Sequence, residues 1–306
     1  MTDFHDVFFI VGPTATGKSE IGADVAATLG AEIVGTDAFQ IYRGLDLLTA
    51  KPDRVTLARV PHHLIGTMSI REEMNAEKFR RLAVQATSEI HSRGKLAIVV
   101  GGSGLYLKAL THGLSSAPAA DPDLRAGLNE LNLHDLQKEL LGLDPEAASK
   151  IDMKNRRRLV RAIEVCLLGG QKILGQGKEW ESDVGSNGVF VFRERDEIYE
   201  RINRRVEAMF ENGVIEEVRN AGAMSETASK MIGLREIREL LDGKMSILQC
   251  VAAIQQATRR YAKRQLTWFR RQTNFQLLNL SLLSQNEAVK EISQLARSFG
   301  VAQGND

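Results

Sequence analysis

Val7-Phe8-Phe9-Ile10-Val11 runs directly into Gly12-Pro13-Thr14-Ala15-Thr16-Gly17-Lys18-Ser19. The first five residues are apolar, β-branched or aromatic, as expected of a strand buried on both faces. The next eight fit G-x-x-x-x-G-K-[ST] at every fixed position, and Ser19–Leu29 then shows helical spacing. The chemistry needs this order. Glycines let the backbone curl so that successive N–H groups face an anion, and the following helix adds the positive end of its dipole. Lys18 supplies a point charge for the terminal phosphate, and Ser19 can ligate Mg²⁺. The loop therefore predicts polyphosphate binding through Gly12, Pro13, Thr14, Ala15, Thr16, Gly17, Lys18 and Ser19. It does not say which polyphosphate, since kinases, ATPases and several transferases share it.

Outward from the loop, Ala31–Thr36 reads as a second strand, Asn75–Arg93 as a helix and Leu96–Val100 as a third buried strand. Strands alternating with helices predict an α/β fold, a parallel sheet covered on both faces. A nucleotide hydrolase usually ends one such strand in an acidic residue for the metal. Here the third strand ends in Gly101-Gly102-Ser103. From about Asp121 to Gly175 the spacing is helical, Val189–Phe192 returns to the sheet, and helices follow from Asp196 through Arg271. Phe275–Leu280 alternates like a strand, Glu287–Phe299 reads as a closing helix, and Val301–Asp306 is expected to fray. The expected organisation is a phosphate-loop core in two parts, residues 1–120 and 188–306, around a helical insertion at residues 121–187.

Asp37 follows the second strand, where ligand sites of open parallel sheets gather. Its position suits either of two roles, a proton acceptor facing the phosphate loop or a helix N-cap. Gln40, three residues on, can read a base edge with its paired donor and acceptor.

The 306 residues carry a formal charge of +1, with 43% hydrophobic and 26% charged residues. This composition excludes collagen-like, disulfide-scaffold and wholly disordered chains. The near-neutral sum argues against a nucleic-acid partner only until it is resolved locally. Residues 1–50 hold seven acids and two bases, whereas residues 243–286 hold seven bases and no acid. At 100° per residue, Arg260, Arg264 and Arg271 share one helical stripe with Lys263 and Arg270 beside it. With no acid to neutralise it, this face suits a phosphate backbone. Trp268 and Phe269 fall off the stripe and are expected in the core. Lys154, Arg156, Arg157, Arg158 and Arg161 form a second basic cluster. Cys166 and Cys250 stand apart from any metal-ligand pattern and are expected to be reduced thiols. His62-His63 lacks the helical spacing of metal ligands, so a structural or polar-network role is expected. The acidic N-terminus and the short apolar runs give no expectation of a signal peptide or membrane span, so a cytoplasmic protein is expected.

Taken in order, GPTATGKS, TDAFQIYRGLDLLTAKP, VPHHLI, VVGGSGLYLKAL, APAADPDLR, RRRLVRAIEV, ERINRRVEAM, SKMIGLREI and TRRYAKRQLTWFR resemble the tRNA dimethylallyltransferase family from about Phe8 to Arg271. The resemblance implies transfer of a dimethylallyl group from dimethylallyl diphosphate to N6 of the adenosine just 3′ of the tRNA anticodon, with release of pyrophosphate. It implies that the loop holds a prenyl diphosphate, which accounts for the missing acid on the third strand, and that Mg²⁺ is the cofactor. It implies that Asp37 takes the proton of the adenine amino group, that Ser103 stands near the reacting groups where the family usually has Thr, and that Arg205 contacts the pyrophosphate. It assigns tRNA contacts to Asp37, Ala38, Phe39 and Gln40, to Ser103 and Arg125, to Arg157, Arg158 and Arg161, and to the segment from Lys230 to Arg235. The basic face adds Arg260, Lys263 and Arg264. The partner expected is a tRNA anticodon stem-loop, its adenine flipped from the stack, bound to a monomer.

The chain departs from the family at Ala38, where Ser is usual, and at Gly66, where Asp is usual. Three other readings remain open at this point. An adenylate prenyltransferase would need no basic C-terminal helix, a small-molecule kinase would hydrolyse or transfer phosphate, and a tRNA-binding protein with a degenerate site would do neither.

Overall fold

The computed structural model describes residues 7–113, 118, 120–169, 187–272 and 275–303. They belong to two compact units, Met1–Thr111 with Trp180–Asp306 and, separately, His112–Glu179. The larger unit is built on a six-stranded sheet in the order β3-β2-β4-β1-β5-β6. The strands are β1 (Val7–Val11), β2 (Glu32–Gly35), β3 (His62–His63), β4 (Ala97–Gly101), β5 (Gly188–Phe192) and β6 (Gln276–Asn279), and every pairing is parallel. The helices, in chain order, are α1 (Lys18–Leu29), α2 (Arg54–Arg59), α3 (Ala76–Ser92), α4 (Gly104–His112), α5 (Pro122–Glu130), α6 (Leu133–Leu143), α7 (Pro145–Lys150), α8 (Arg156–Leu167), α9 (Arg195–Glu211), α10 (Val214–Arg219), α11 (Leu234–Leu241), α12 (Ile247–Gln272) and α13 (Gln285–Gln303).

Successive side chains of a strand point to opposite faces, and β1 shows the consequence. Val7, Phe9 and Val11 enter one core with Phe79 of α3, Leu107 of α4, Ile202 of α9 and Phe269 of α12. Phe8 and Ile10 enter the other with Val25 of α1 and Ile292 of α13. All five are 1% exposed or less, so β1 is apolar along its whole length because both of its faces are covered. The chain goes from β1 outward to β2, back to β4 beside β1, and only then across to β5. The carboxyl ends of β1, β2, β4 and β5 therefore open around one reversal of strand order, where such sheets place their ligands.

The strands and helices expected from β1 to α1, at β2, at α3 and at β4 are present within two residues of their expected limits. Strand β3 has only two residues, too few to show a period, and was not foreseen. The closing helix runs on to Gln303, past the point where fraying was expected. In the smaller unit α5 to α8 bury Leu128, Leu136, Leu140, Leu159 and Ile163 against one another. The remainder of the expected insertion, residues 170–186, lies outside the described residues.

Glu32, at the amino end of β2, is 2% exposed. His63 approaches one carboxylate oxygen at 2.8 Å, Arg93 Nη2 donates to it at 2.7 Å, and Lys95 donates to the other at 3.0 Å. His63 thus belongs to a polar network, as expected of it. Chiefly the Arg93 hydrogen bond, against the cost of burial, holds the Glu32 carboxyl down at about 2, well below its ordinary 4.5. A depressed carboxyl stabilises the fold fully above its unfolded value and ceases to do so as pH falls through its folded value. Glu32→Gln is expected to lower stability by about 2–4 kcal/mol at pH 7. In urea titrations the gap from wild type should close as pH falls from about 4.5 to about 2; a gap that persists at pH 2 would show that this carboxylate is not its source.

Candidate active site

The phosphate loop bridges β1 and α1. Gly17 sits at φ 89°, a left-handed conformation that costs glycine little. Ala15 is also left-handed, at φ 67°, which strains a residue with a side chain and requires the surroundings to hold it. They do so through the carbonyls. Arg201 Nε donates to Ala15 O at 2.7 Å, Arg193 Nε to Thr16 O at 2.8 Å, and Lys18 Nζ to Pro13 O at 3.2 Å. Thr16 Oγ1 also donates to Pro13 O, at 3.0 Å.

The amides divide into two groups. Gly12 N–H donates to Gly101 O at 3.2 Å, Pro13 has no N–H, and Thr14 N–H donates to Gln265 Oε1 at 2.9 Å. Among the described residues the N–H groups of Ala15, Thr16, Gly17, Lys18 and Ser19 meet no acceptor. The anion cradle is therefore narrower than the eight-residue motif: its donors run from Ala15 to Ser19, and Gly12 to Thr14 anchor it to the sheet and to α12.

Two cations converge on the cradle. Arg205, one turn beyond Arg201 on α9, donates from Nη1 to Thr14 Oγ1 at 3.0 Å, while its buried Nε has no partner among the described residues. Burial depresses both cations, Lys18 to about 8; Asp37 opposes both shifts, while Arg205 reinforces that of Lys18 and Arg201 that of Arg205. For Arg205 the direction alone is clear. Two positive groups held partly out of water beside five unpaired amides form a site for a highly charged anion.

Asp37 lines the same cleft as Lys18, Ser19, Gln40 and Gly101. In place of the expected helix N-cap, it caps a turn. Its Oδ1 accepts from Phe39 N–H at 2.9 Å and Gln40 N–H at 3.3 Å, capping the turn after β2, and Oδ2 accepts nothing from the described residues. Its charge bears on Tyr106 and Tyr261, whose hydroxyls are pushed up first by burial and then by Asp37 and, for Tyr106, by Tyr42 and Asp37 together. Ser103, at the start of the turn after β4, donates its N–H to Thr36 O at 3.3 Å, which ties this turn to the one that carries Asp37.

The remaining expected residues separate by what their polar groups do. Gln40 donates from Nε2 to Ala50 O at 2.7 Å and Thr49 O at 3.2 Å, so its amide nitrogen holds a loop. Ala38 and Phe39 pack half-buried against the core. In the smaller unit Arg125 and Arg161 both pair with the fully buried Glu164, at 2.9 and 2.6 Å, whereas Arg157 and Arg158 are exposed. Lys230 pairs with Glu226, and Arg235 with Glu236 at 2.8 Å. On α12, Arg260, Lys263, Arg264 and Arg271 are exposed and line a cleft of about 580 Å³ with Thr267 and Trp268. Trp268, expected to lie in the core, is half-buried and forms part of that basic cleft, because its position on the helix borders the stripe. Sequence reading missed Arg193, Arg201 and Gln265. The four-residue spacing of Arg201 and Arg205 was a usable signal; Arg193 and Gln265 gave none.

A parallel sheet with a glycine-rich G-x-x-x-x-G-K-S loop at its strand reversal and a basic helix defines an α/β protein with a candidate anion site. The comparisons narrow the class. A family described as IPP transferase matches residues 40–272. The tRNA dimethylallyltransferase of Akkermansia muciniphila is 41% identical over 264 residues, covering 86% of this chain and 90% of the relative. The tRNA dimethylallyltransferase 1 of Citrifermentans bemidjiense is 44% identical over 270 residues, covering 86% and 88%. The full-length tRNA isopentenylpyrophosphate transferase of Bacillus halodurans superposes with a TM-score of 0.70 at 33% identity, over 97% of this chain and 98% of its own. The chain belongs to the IPP transferase family.

The site carries a pH signature. Lys18 is charged below about 8 and loses its proton above it, so pyrophosphate should bind more weakly as pH rises from 7 to 9. Calorimetric titration should show this extra loss in wild type and its absence in Lys18→Met. Parallel curves for the two proteins would remove Lys18 from the anion site.

Proposed function

We propose that this protein is a tRNA-modifying transferase that moves a dimethylallyl group from dimethylallyl diphosphate to N6 of the adenosine 3′-adjacent to the anticodon. The observation that carries this is the convergence of an anion cradle and a half-free carboxylate in one cleft, on a chain whose relatives are named tRNA dimethylallyltransferases. The five amides, Lys18 and Arg205 would hold the diphosphate and gain in strength as charge collects on the departing pyrophosphate. Asp37 Oδ2 would accept the proton. In balance, N6 bonds to C1 of the dimethylallyl group, the C1–O bond breaks with its electron pair leaving on pyrophosphate, and one N6 proton passes to the carboxylate. Ser103 would stand beside the acceptor.

Among the described residues no group of three or more acidic, His or Cys side chains suits a metal, but Ser19 lines the cleft beside the loop and offers a hydroxyl oxygen. Such sparse oxygen ligation fits Mg²⁺, which takes most of its ligands from phosphate and water. When bound, Mg²⁺ supplies further charge stabilisation to the leaving group. Asp37 would hold its place on the Oδ1 cap whether or not the metal is present.

The exposed cations Arg260, Lys263 and Arg264 supply a basic cleft that a free nucleotide would not need, and the smaller unit separately exposes Arg157 and Arg158. They favour RNA over AMP, ADP or ATP as the acceptor. Among the described residues no helix is long and apolar enough to cross a membrane. A monomer acting in the cytoplasm accords with a chain that carries cradle, carboxylate and basic face together.

Incubation with dimethylallyl diphosphate, Mg²⁺ and either unmodified tRNA or AMP, followed by nucleoside mass analysis, tests this reading. Product is expected from tRNA; product mainly from AMP would replace it with the free-nucleotide reaction. Asp37→Asn should lower turnover about 10²–10⁴-fold with little change in tRNA affinity. Arg264→Ala should weaken tRNA binding and flatten its salt dependence by about one phosphate contact; an unchanged salt slope would make Arg264 an ordinary solvated charge.

A further inference from the structure

Gln265 is 6% exposed, yet it stands in the most basic stretch of the chain, flanked by Arg264 and Leu266 on α12. Its amide is fully engaged at both ends. Oε1 accepts from Thr14 N–H at 2.9 Å, and Nε2 donates to Gly102 O at 2.8 Å. The first partner lies in the loop after β1 and the second in the turn after β4, immediately before Ser103. The fit leaves no slack: a Cβ at Gly102 would stand 2.5 Å from Gln265 Nε2 and 2.7 Å from Gly12 O. One turn along the same helix, Phe269 stacks on Phe190 of β5 at 5.3 Å between ring centroids, which fixes α12 on the sheet.

We propose that Gln265 is a positioning residue for the transfer reaction: it sets the distance between the diphosphate cradle and the Ser103 turn by holding the Thr14 amide and the Gly102 carbonyl in a single side chain. This rests on the reading of the site given above. Two features make the role one of position. By taking the Thr14 N–H, Gln265 ends the run of free amides at Ala15 and so determines where the terminal oxygens of a diphosphate sit. By donating to Gly102, it fixes the start of the turn that carries Ser103. Arg264 and Arg260 lie about 100° and 140° round the helix from Gln265 and are exposed, so Gln265 should affect the reacting geometry and not the grip on RNA.

The chemistry is specific to a carboxamide. A carboxylate can accept from Thr14 but cannot donate to Gly102, and a thioether of similar volume does neither. Gln265→Met should lower turnover at saturating tRNA and dimethylallyl diphosphate by about 10–100-fold, the range expected of a misplaced reacting group. It should weaken calorimetric pyrophosphate binding and leave the KM for tRNA within about twofold of wild type. Gln265→Glu supplies the second arm. Its carboxylate keeps the acceptor for Thr14 but has no proton to donate to Gly102, so its turnover should also fall below that of wild type.

All assays are made well below the melting temperature of each variant, so that loss of fold does not enter. Wild-type turnover and pyrophosphate affinity in Gln265→Met, or a loss confined to the KM for tRNA, would overturn the proposal. So would wild-type turnover in Gln265→Glu. If wild type itself forms no prenylated RNA, the functional reading fails, and the pyrophosphate titration alone still decides whether Gln265 sets the cradle.

Discussion

A loop that turns five successive N–H groups toward an anion must turn its carbonyls the other way, and those carbonyls need donors of their own. In water the solvent would supply them. Here the donors are side chains: Arg193 and Arg201 from a distant part of the chain, and Lys18 and Thr16 from the loop itself. The strained Ala15 survives because its carbonyl is held at 2.7 Å by Arg201. Remove that backing and the amides lose their common direction. The order of the rest follows from this need. Strand β5 ends where it does so that Arg193 can reach back under the loop, and α9 lies where Arg201 and Arg205 can face it from successive turns.

The same division explains why the cations differ in duty although they look alike in sequence. Arg201 holds a loop carbonyl, that of Ala15, whereas Arg205 holds the Thr14 hydroxyl and keeps a buried Nε with no partner among the described residues. Arg125 and Arg161 of the smaller unit meet Glu164 and hold that helical group together. Arg157 and Arg158, by contrast, stay exposed at the first turn of α8, where positive charge opposes the helix dipole and gains nothing for the helix itself.

Much of this was legible in the chain. The strand, loop and helix around Lys18 are local, and the motif demands its own geometry. Asp37 could be placed because parallel sheets put ligand-binding residues after strand ends, and in the structure it lines the cleft beside Lys18 and Ser19 while capping a turn. The basic face of α12 followed from helical spacing. What was not legible depends on contacts between residues far apart. Gln265 meets Thr14 across 251 positions and Gly102 across 163, and no spacing rule reaches that far. Trp268 was misplaced because it lies at the margin of a stripe, where a helical projection cannot separate core from cleft. Gln40 was read as a base reader because its side chain can do that; only the fold shows its nitrogen bound to Thr49 and Ala50.

Helix α12 spends its circumference on three tasks. Phe269 meets the sheet, Gln265 meets the two loops, and Arg260 and Arg264 face outward. Each residue of a helix is turned about 100° from the last, so angle keeps the outward cations apart from Gln265 and Phe269, which lie one turn apart on the same side. The helix is therefore sensitive to a change in count. One residue inserted between Tyr261 and Phe269 would rotate everything on one side of it by more than a quarter turn, carrying a cation toward the sheet or an aromatic ring toward water. The phase of this helix is thus inherited as a unit, and length here is a stricter constraint than identity.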